Sequence, residues 1–307
     1  MAARRQGAVS ARRNAVLFVV LAAVWGSAFV AIKAGLAYIP PVLFAALRYD
    51  VAGVLMLAYA AVSVEQWRPR TAGQWHQVLI GSVLLIAAYH AFLFVGEQRV
   101  TSATAAVVVS LSPVLTTGFA RLLLPDQSLS AIGGIGLALG FIGVVVVARP
   151  EPGAVLSTDV IAVGLVFAAA ASFALGSVLS ERVAASLPIE TMEAWSMLGG
   201  AAIMHAVSFL LPGESIADVT WTVEALLALG YLSVVASALG FLAYFELLDR
   251  LGAVEINLVS YVAPAFAAVV GWALLDEVID AGTAVGFVAI VAGFALVKRR
   301  AIAAELS

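Results

Sequence analysis

The sequence predicts an all-α polytopic membrane protein, with ten transmembrane helices arranged as two inverted five-helix repeats around a central cavity. Three observations predict this fold. The chain of 307 residues is 63% hydrophobic and only 11% charged, whereas a soluble domain is roughly half apolar and about a quarter charged. Its apolar residues fall into stretches long enough to cross a bilayer. The second half of the chain also repeats the first.

Prolines and charged residues separate the predicted spans. A bilayer core of about 30 Å needs about 20 apolar residues per helix, and breaks such as Pro40-Pro41 and Asp249-Arg250 divide the chain at that spacing. The first apolar stretch continues past Trp25 to Leu36. It is longer than the apolar region of a signal peptide, so we expect it to be retained as a span. The predicted spans are 14–35, 41–64, 75–97, 101–124, 128–148, 159–181, 190–211, 223–247, 253–275 and 281–298.

Positive charge predicts the orientation, because cytoplasmic loops carry an excess of Lys and Arg. With the N-terminus inside, twelve such residues fall on the inner side and three on the outer side. We therefore expect a multi-pass plasma-membrane protein with both termini cytoplasmic. The inner residues are Arg4, Arg5, Arg12, Arg13, Arg68, Arg70, Arg121, Arg182, Arg250, Lys298, Arg299 and Arg300, and the outer residues are Lys33, Arg99 and Arg149.

An internal repeat divides the chain into halves. Residues 94–113 align with 245–264 at an offset of 151, and Pro41 aligns with Pro188 at an offset of 147. Five spans per half invert the second half, and inverted repeats around a midplane site are typical of secondary transporters. A duplication that merely fills the bilayer with helices is the alternative. The predicted division is a basic tail at 1–13, a first repeat at 14–148, an external linker at 149–158, a second repeat at 159–298 and a C-terminal tail at 299–307.

Composition and motifs exclude several functions. The chain has no cysteine, which excludes disulfides, thiolate metal sites and thiol catalysis. Its net charge of −3 offers no basic patch for nucleic acid. The phosphate-binding loop of ATPases and the H-E-x-x-H and G-x-S-x-G motifs do not occur in the sequence. We expect no enzyme activity, catalytic residue, metal or cofactor, and transport driven by a substrate gradient or a coupled ion.

Arg48 is the first ionisable candidate inside a span, where desolvation of a charge costs a few kcal/mol. Its guanidinium could bind a substrate carboxylate. The alternative is a structural role, with Asp50 nearby forming an ion pair, for example with Lys33.

His90 is the second candidate, and Tyr89 precedes it in span three. His90, Phe94 and Glu97 share one helical face. The imidazole could bind substrate or carry a coupled proton, because its ordinary pKa is near physiological pH. The alternative is a neutral histidine bonded to a neighbouring helix. His205 has no such cluster, and we predict a structural role for it.

Corresponding spans of the two halves contain prolines next to polar residues. Span four has Ser110 and Pro113, and span nine has Asn257, Tyr261 and Pro264. A proline inside a helix frees a carbonyl and kinks the axis. We predict hinges at both prolines and substrate contacts at Ser110, Asn257 and Tyr261.

Aromatic residues complete the predicted site. Trp25, Tyr89 and Tyr244 are expected to line the cavity with Tyr261, although packing or interface anchoring is the alternative for each. Spans five and ten are rich in glycine, which permits close helix approach. We assign them no ligand, and the same glycine faces leave a monomer and a weak homodimer equally open.

Several segments spread along the chain follow one known pattern. They are VWGSAFVAIKAGL, LRYD, SLSP, YVAP, GGIGLALGFIGVVVV and LDEVIDAGTAVGFVAIVAGFALV. Together they resemble the EamA-type drug/metabolite transporter superfamily, over about 14–298. The resemblance implies ten helices in two inverted halves, a cavity lined mainly by spans other than five and ten, and export or exchange of small metabolites, amino acids among them. The chain departs from the pattern at Ser172-Phe173-Ala174, where the second half often carries tryptophan.

The main functional hypothesis is therefore a secondary transporter in the lipid bilayer that exports or exchanges a small-molecule substrate such as an amino acid by alternating access. The alternative is a membrane sensor or scaffold of the same architecture without transport. Uptake also remains open, because topology does not set the direction of transport.

Overall fold

Ten long helices build the part of the chain that the structure describes. The computed structural model describes residues 2–124, 131–149, 157–183 and 185–306, and within these ranges every regular element is helical. The helices are α1 Ala2–Gly35, α2 Pro41–Ser63, α3 Ala72–Glu97, α4 Ser102–Leu123, α5 Ala131–Ala148, α6 Thr158–Val183, α7 Ile189–Leu210, α8 Val223–Leu251, α9 Val259–Leu275 and α10 Ala281–Leu306. A short turn of helix, Ala253–Ile256, precedes α9. Most of the predicted linker at 149–158 lies outside the described residues.

The helices have the length and apolar surface of membrane spans. Seven of those in the described ranges are long and apolar enough to cross a bilayer, and Val259–Leu275 and Ala281–Val297 are shorter apolar helices. Large apolar side chains such as Val54, Leu227 and Trp272 are more than half exposed. Such exposure is expected of a surface that faces lipid. The predicted all-α polytopic fold is confirmed.

Packing between helices repeats itself when the two halves are exchanged. Three helices of the first half pack against their own counterparts: α2 on α7, α4 on α9 and α5 on α10. The contact of α1 with α9 is matched by that of α6 with α4, and the contact of α3 with α6 by that of α8 with α1. Both α3 and α8 also widen into π-helical turns, which begin at Gly81 and Tyr231, 150 residues apart. The structure thus consists of two equivalent five-helix halves.

Connections between the helices lie at two ends of the bundle. We call the end that holds Arg13 and the connections 64–71 and 185–188 the terminal end. The opposite end, which holds the connections 36–40, 98–101, 211–222 and 276–280, is called the far end.

Glycines bring α5 and α10 into backbone contact. A Cβ atom added at Gly136 would lie 2.6 Å from the Gly293 carbonyl oxygen, and one added at Gly143 would lie 2.7 Å from that of Gly286. Both approaches are too close for any side chain. The predicted packing role of these two helices therefore has a direct steric basis.

Replacing Gly143 with alanine is expected to destabilise the protein by about 1–3 kcal/mol, because the new methyl group must push α5 and α10 apart. Thermal unfolding in detergent would measure the loss. Gly164→Ala is the matched control, since nothing lies within 4 Å of its added Cβ. Equal melting temperatures for Gly143→Ala and Gly164→Ala would contradict the close packing.

Candidate functional site

A buried polar cluster joins α2, α3 and α8. The Arg48 side chain is only 6% exposed, and its Nε donates to Ser237 Oγ at 2.9 Å. Its guanidinium also lies 5.1 Å from the centre of the Tyr49 ring. Of the five N–H donors of Arg48, one, on Nε, has a hydrogen-bond partner among the described residues. The whole group is shielded from bulk water.

His90 is fixed by two hydrogen bonds. Its Nδ1 lies 2.9 Å from the Ile86 carbonyl oxygen, and because a carbonyl only accepts, Nδ1 carries the hydrogen. Its Nε2 lies 2.7 Å from the Tyr49 hydroxyl, which donates to the neutral ring. The alternative that His90 is bonded to a neighbouring helix therefore matches its geometry, and the same bonds place it beside Arg48.

The π-helical turns position this cluster. A π turn disturbs the hydrogen-bond ladder of a helix and leaves carbonyl groups in need of other donors. Trp25 Nε1 donates to the Ala236 carbonyl at 3.1 Å, one residue before Ser237. In the other half, Ser172 Oγ donates to the Leu84 carbonyl at 2.9 Å. Ser172 on α6 and Trp25 on α1 thus each donate to a carbonyl of a π turn in the other half.

Aromatic rings extend the cluster in two directions. The Tyr89 ring lies 4.4 Å from that of His90 and 5.5 Å from that of Phe173. The Trp25 ring lies 5.5 Å from that of Tyr244. Four predicted site residues on α1, α3 and α8 therefore lie in two aromatic groups: Tyr89 with His90, and Trp25 with Tyr244.

The remaining predicted residues lie elsewhere. Ser110 is fully buried and donates to the Val107 carbonyl of its own helix at 2.6 Å. The Tyr261 ring packs 4.6 Å from that of Phe294 on α10. Asn257 is exposed, in the turn between Ala253–Ile256 and α9. These three therefore make no described contact with the Arg48 cluster.

The two predicted hinges have different settings. Pro113 stands at the start of the second segment of α4, directly after a break at Ser110-Leu111. Pro264 lies inside α9, and the break in that span comes earlier, at Asn257-Leu258. The hinge role of either proline stays a prediction.

Asp50 does not form an ion pair with Lys33. Its Oδ2 lies 2.7 Å from His205 Nε2, and both side chains are about two-fifths exposed. Lys33 instead donates from Nζ to the carbonyls of Glu97, Gln98 and Val100 at 2.9, 3.1 and 2.9 Å. The suggested Asp50–Lys33 pair was wrong because the rotational setting of α2 turns Asp50 towards α7.

A cleft of about 720 Å³ opens at the terminal end between α2, α7 and α8. Its lining includes Tyr59, Glu190, Phe245 and Glu246. Glu193, one turn deeper on α7 than Glu190, is only 9% exposed. Glu193 was not predicted from the sequence, although an ionisable group within a predicted span is the same signal that identified Arg48.

The far end is closed by carboxylates that reach across from the other half. Glu214 accepts from the backbone N–H groups of Val42 and Leu43 at 3.2 and 3.0 Å. Glu277 accepts from the Ser102 N–H at 3.0 Å and from its hydroxyl at 3.2 Å. Each carboxylate thus caps the first turn of a helix, where free N–H groups favour negative charge.

Asp280 adds a further link at this end. It accepts from the Thr283 N–H and hydroxyl, both at 2.8 Å, and pairs with Arg149. Desolvation acts to raise the pKa of Asp280, but the Thr283 hydrogen bonds and the Arg149 charge outweigh it and lower the pKa. Asp280 therefore stays ionised, and it holds Arg149, the last described residue after α5, to the start of α10.

Among the described residues, no three His, Asp or Glu side chains come together as a metal site. Two buried ionisable groups of opposite type lie on neighbouring helices instead, Arg48 on α2 and Glu193 near the start of α7. Both act electrostatically on Tyr49. This arrangement offers complementary charges to a small polar molecule.

Comparison with known proteins identifies the family. The EamA-like transporter family matches the chain twice, over residues 13–149 and 160–299. The uncharacterized transporter YvbV of Bacillus subtilis is 28% identical over 288 residues, 94% of this chain and 92% of that protein. The uncharacterized inner membrane transporter YedA of Escherichia coli (strain K12) is 28% identical over 84% of this chain and 81% of that protein.

A solved crystal structure of a protein supports the fold. It has a TM-score of 0.65 at 23% identity and covers 96% of this chain and 99% of its own. The double match in sequence, once for each half, confirms the resemblance predicted from the short segments. The chain belongs to the EamA-like transporter family.

Proposed function

We propose that this chain is a secondary transporter that exports or exchanges small metabolites such as amino acids across the plasma membrane by alternating access. One observation carries the proposal. The buried Arg48 lies between a far end that is closed by cross-half hydrogen bonds and a terminal end that has an open cleft. A conformation open at one end only is one of the two states that rocking between inverted halves requires.

The charges that Arg48 and Glu193 can carry favour an amino acid over other small metabolites. The guanidinium of Arg48 suits a carboxylate, which it can bind through two parallel N–H groups. Glu193, on the cleft side, suits an ammonium group. Tyr49 lies within electrostatic reach of both. A zwitterion would neutralise both charges on binding and so offset much of their desolvation cost.

The energy source follows from the motifs. The sequence contains no phosphate-binding loop of the ATPase type, so we propose transport driven by a gradient. The proposal includes proton coupling, because the imidazole of His90 lies beside Arg48 and an imidazole can carry a coupled proton. Glycine-mediated packing is used within the chain by α5 and α10, and a monomer or weak homodimer remains our proposal for the assembly.

Reconstitution tests this function. Purified protein in liposomes is given each radiolabelled amino acid in turn, and a set of organic cations without a carboxylate, with and without a pH gradient. We expect saturable uptake of at least one amino acid and no uptake by protein-free liposomes. Transport of the cations alone would contradict the role proposed for Arg48.

The orientation has its own test. Reporter tags at either terminus are expected to report a cytoplasmic location, and a tag within 213–218 an external one, because basic residues concentrate at the terminal end. The tag at 213–218 is the decisive one, since it lies in the far-end connection. A cytoplasmic signal from that tag would mean that the closed far end faces the cytoplasm, which is the opposite of the proposed orientation.

A further inference from the structure

Glu97, the last residue of α3, has an unusual environment. Its side chain is completely buried, and neither carboxyl oxygen has a hydrogen-bond partner among the described residues. The neighbouring Gly96 packs tightly on Ala162 and Val166 of α6, where an added Cβ would lie 2.8 Å from the Ala162 carbonyl oxygen. Glu97 therefore lies directly beneath the closed far end.

Lys33 is close to Glu97 but does not bond to its carboxyl group. An ammonium group has three hydrogens, and Lys33 donates to three backbone carbonyls. Glu277, from the connection after α9, is bonded to Ser102. Arg48, from α2, donates to Ser237. The charges that act on Glu97 are thus Lys33, Glu277 and Arg48, and each has another partner.

The other helices around Glu97 add no charge. The described residues of α6 and α4 packed there, such as Ala162, Val166 and Ser102, are not ionisable. His90 lies two turns earlier on α3 and is bonded to Ile86 and Tyr49. Burying an ionised carboxylate without a hydrogen-bond donor is far more costly than burying the neutral acid.

We propose that Glu97 is a proton-binding site coupled to closure of the far end: it holds a proton while that end is closed and releases the proton when the end opens to water. This inference rests on the proposed alternating access, and it identifies a proton on Glu97 as a ligand that is bound while the far end is closed. Because the closed state binds the proton more tightly, acid stabilises the closed far end and rising pH favours its opening. Protonation of Glu214 or Glu277 would act in the opposite sense, because it weakens their caps.

Labelling of a single cysteine measures this coupling without any substrate. The chain has no cysteine of its own, so Ala105→Cys, at a fully buried position one turn below Ser102, reports opening through its rate of reaction with a maleimide. The thiolate is the reactive form, so each rate is divided by that of Ala217→Cys, which is exposed at the same end. This ratio removes the pH dependence of the thiol itself.

In the parent chain we expect the ratio to rise with pH, by up to about tenfold per unit, the limit for one proton. Glu97→Gln is expected to keep the ratio low at every pH, and Glu97→Asp to restore a pH-dependent rise. Glu224→Gln, at an exposed carboxylate of the far end, is the matched control and should behave as the parent.

A ratio that does not change with pH in the parent, or the same rise in Glu97→Gln, overturns the proposal. Infrared spectra of the parent provide a measurement independent of the variants. The band of a protonated carboxyl group should fade as labelling rises, and a constant band also overturns the proposal. Failure of the proposed transport would appear separately, as an absence of flux in liposomes that still show the labelling response.

Discussion

Replacing Arg48 with alanine is expected to weaken binding of the amino acid that we propose as substrate by about 30-fold to a few thousand-fold. Removing one partner of a buried, hydrogen-bonded charge pair costs about 2–5 kcal/mol. Arg48 fits this case because it is 6% exposed and is bonded to Ser237 on the π turn of α8. The measurement is the concentration dependence of uptake in liposomes, with the amino acid that gives the highest flux.

Two further variants separate charge from geometry. Arg48→Lys keeps the positive charge but loses the planar fork that matches a carboxylate, so we expect an intermediate loss. Arg68→Ala is the control, because Arg68 is exposed at the terminal end. Unchanged transport by Arg48→Ala, with normal insertion, would remove Arg48 from the binding site.

The second large effect is expected at the far end. Glu277→Ala should increase opening of that end about 10- to 100-fold, because hydrogen bonds to a charged group contribute about 1.5–3 kcal/mol. Asp276, with φ of 53°, turns the chain so that Glu277 folds back over Gly271 and points at Ser102. The rate of maleimide labelling of Ala105→Cys measures the opening.

Glu214→Ala should act in the same direction, since Glu214 holds α2 in the same way. Asp218→Ala is the matched control. Its carboxylate accepts from the Ser215 hydroxyl and N–H, which lower its pKa, and both bonds lie within one connection rather than between the halves. If all three variants label at the parent rate, the carboxylate caps do not hold the far end closed.

Much of the fold follows from local sequence. Apolar runs of spanning length, separated by prolines and charges, are sufficient to predict ten helices, and residue correspondences such as Pro41 with Pro188 reveal the repeat. Arg48 and His90 were also predictable as buried groups, because a charge or an imidazole inside a span must find an internal environment.

What could not be predicted depends on how helices are rotated and on which loops reach across. Asp50 meets His205 rather than Lys33 because the setting of α2 is decided by its packing on α7. Glu214 and Glu277 are loop residues whose targets lie more than 170 residues away in the sequence, so no local pattern marks them. Glu193 is different, since the rule applied to Arg48 would have identified it.

The π turn of α3 sets the register of everything that follows it on that helix. A π turn holds extra chain within the same helical rise, and each residue of an α-helix turns the chain by about 100°. If the same residues of Gly81–Ala88 closed as a regular α-helix instead, every residue after the turn would move one position along the helix. The face that carries His90 and Glu97 would then rotate by about 100°, away from Tyr49 and Lys33. One surplus residue, held in place by the hydroxyl of Ser172, thus determines which way the polar face of α3 points.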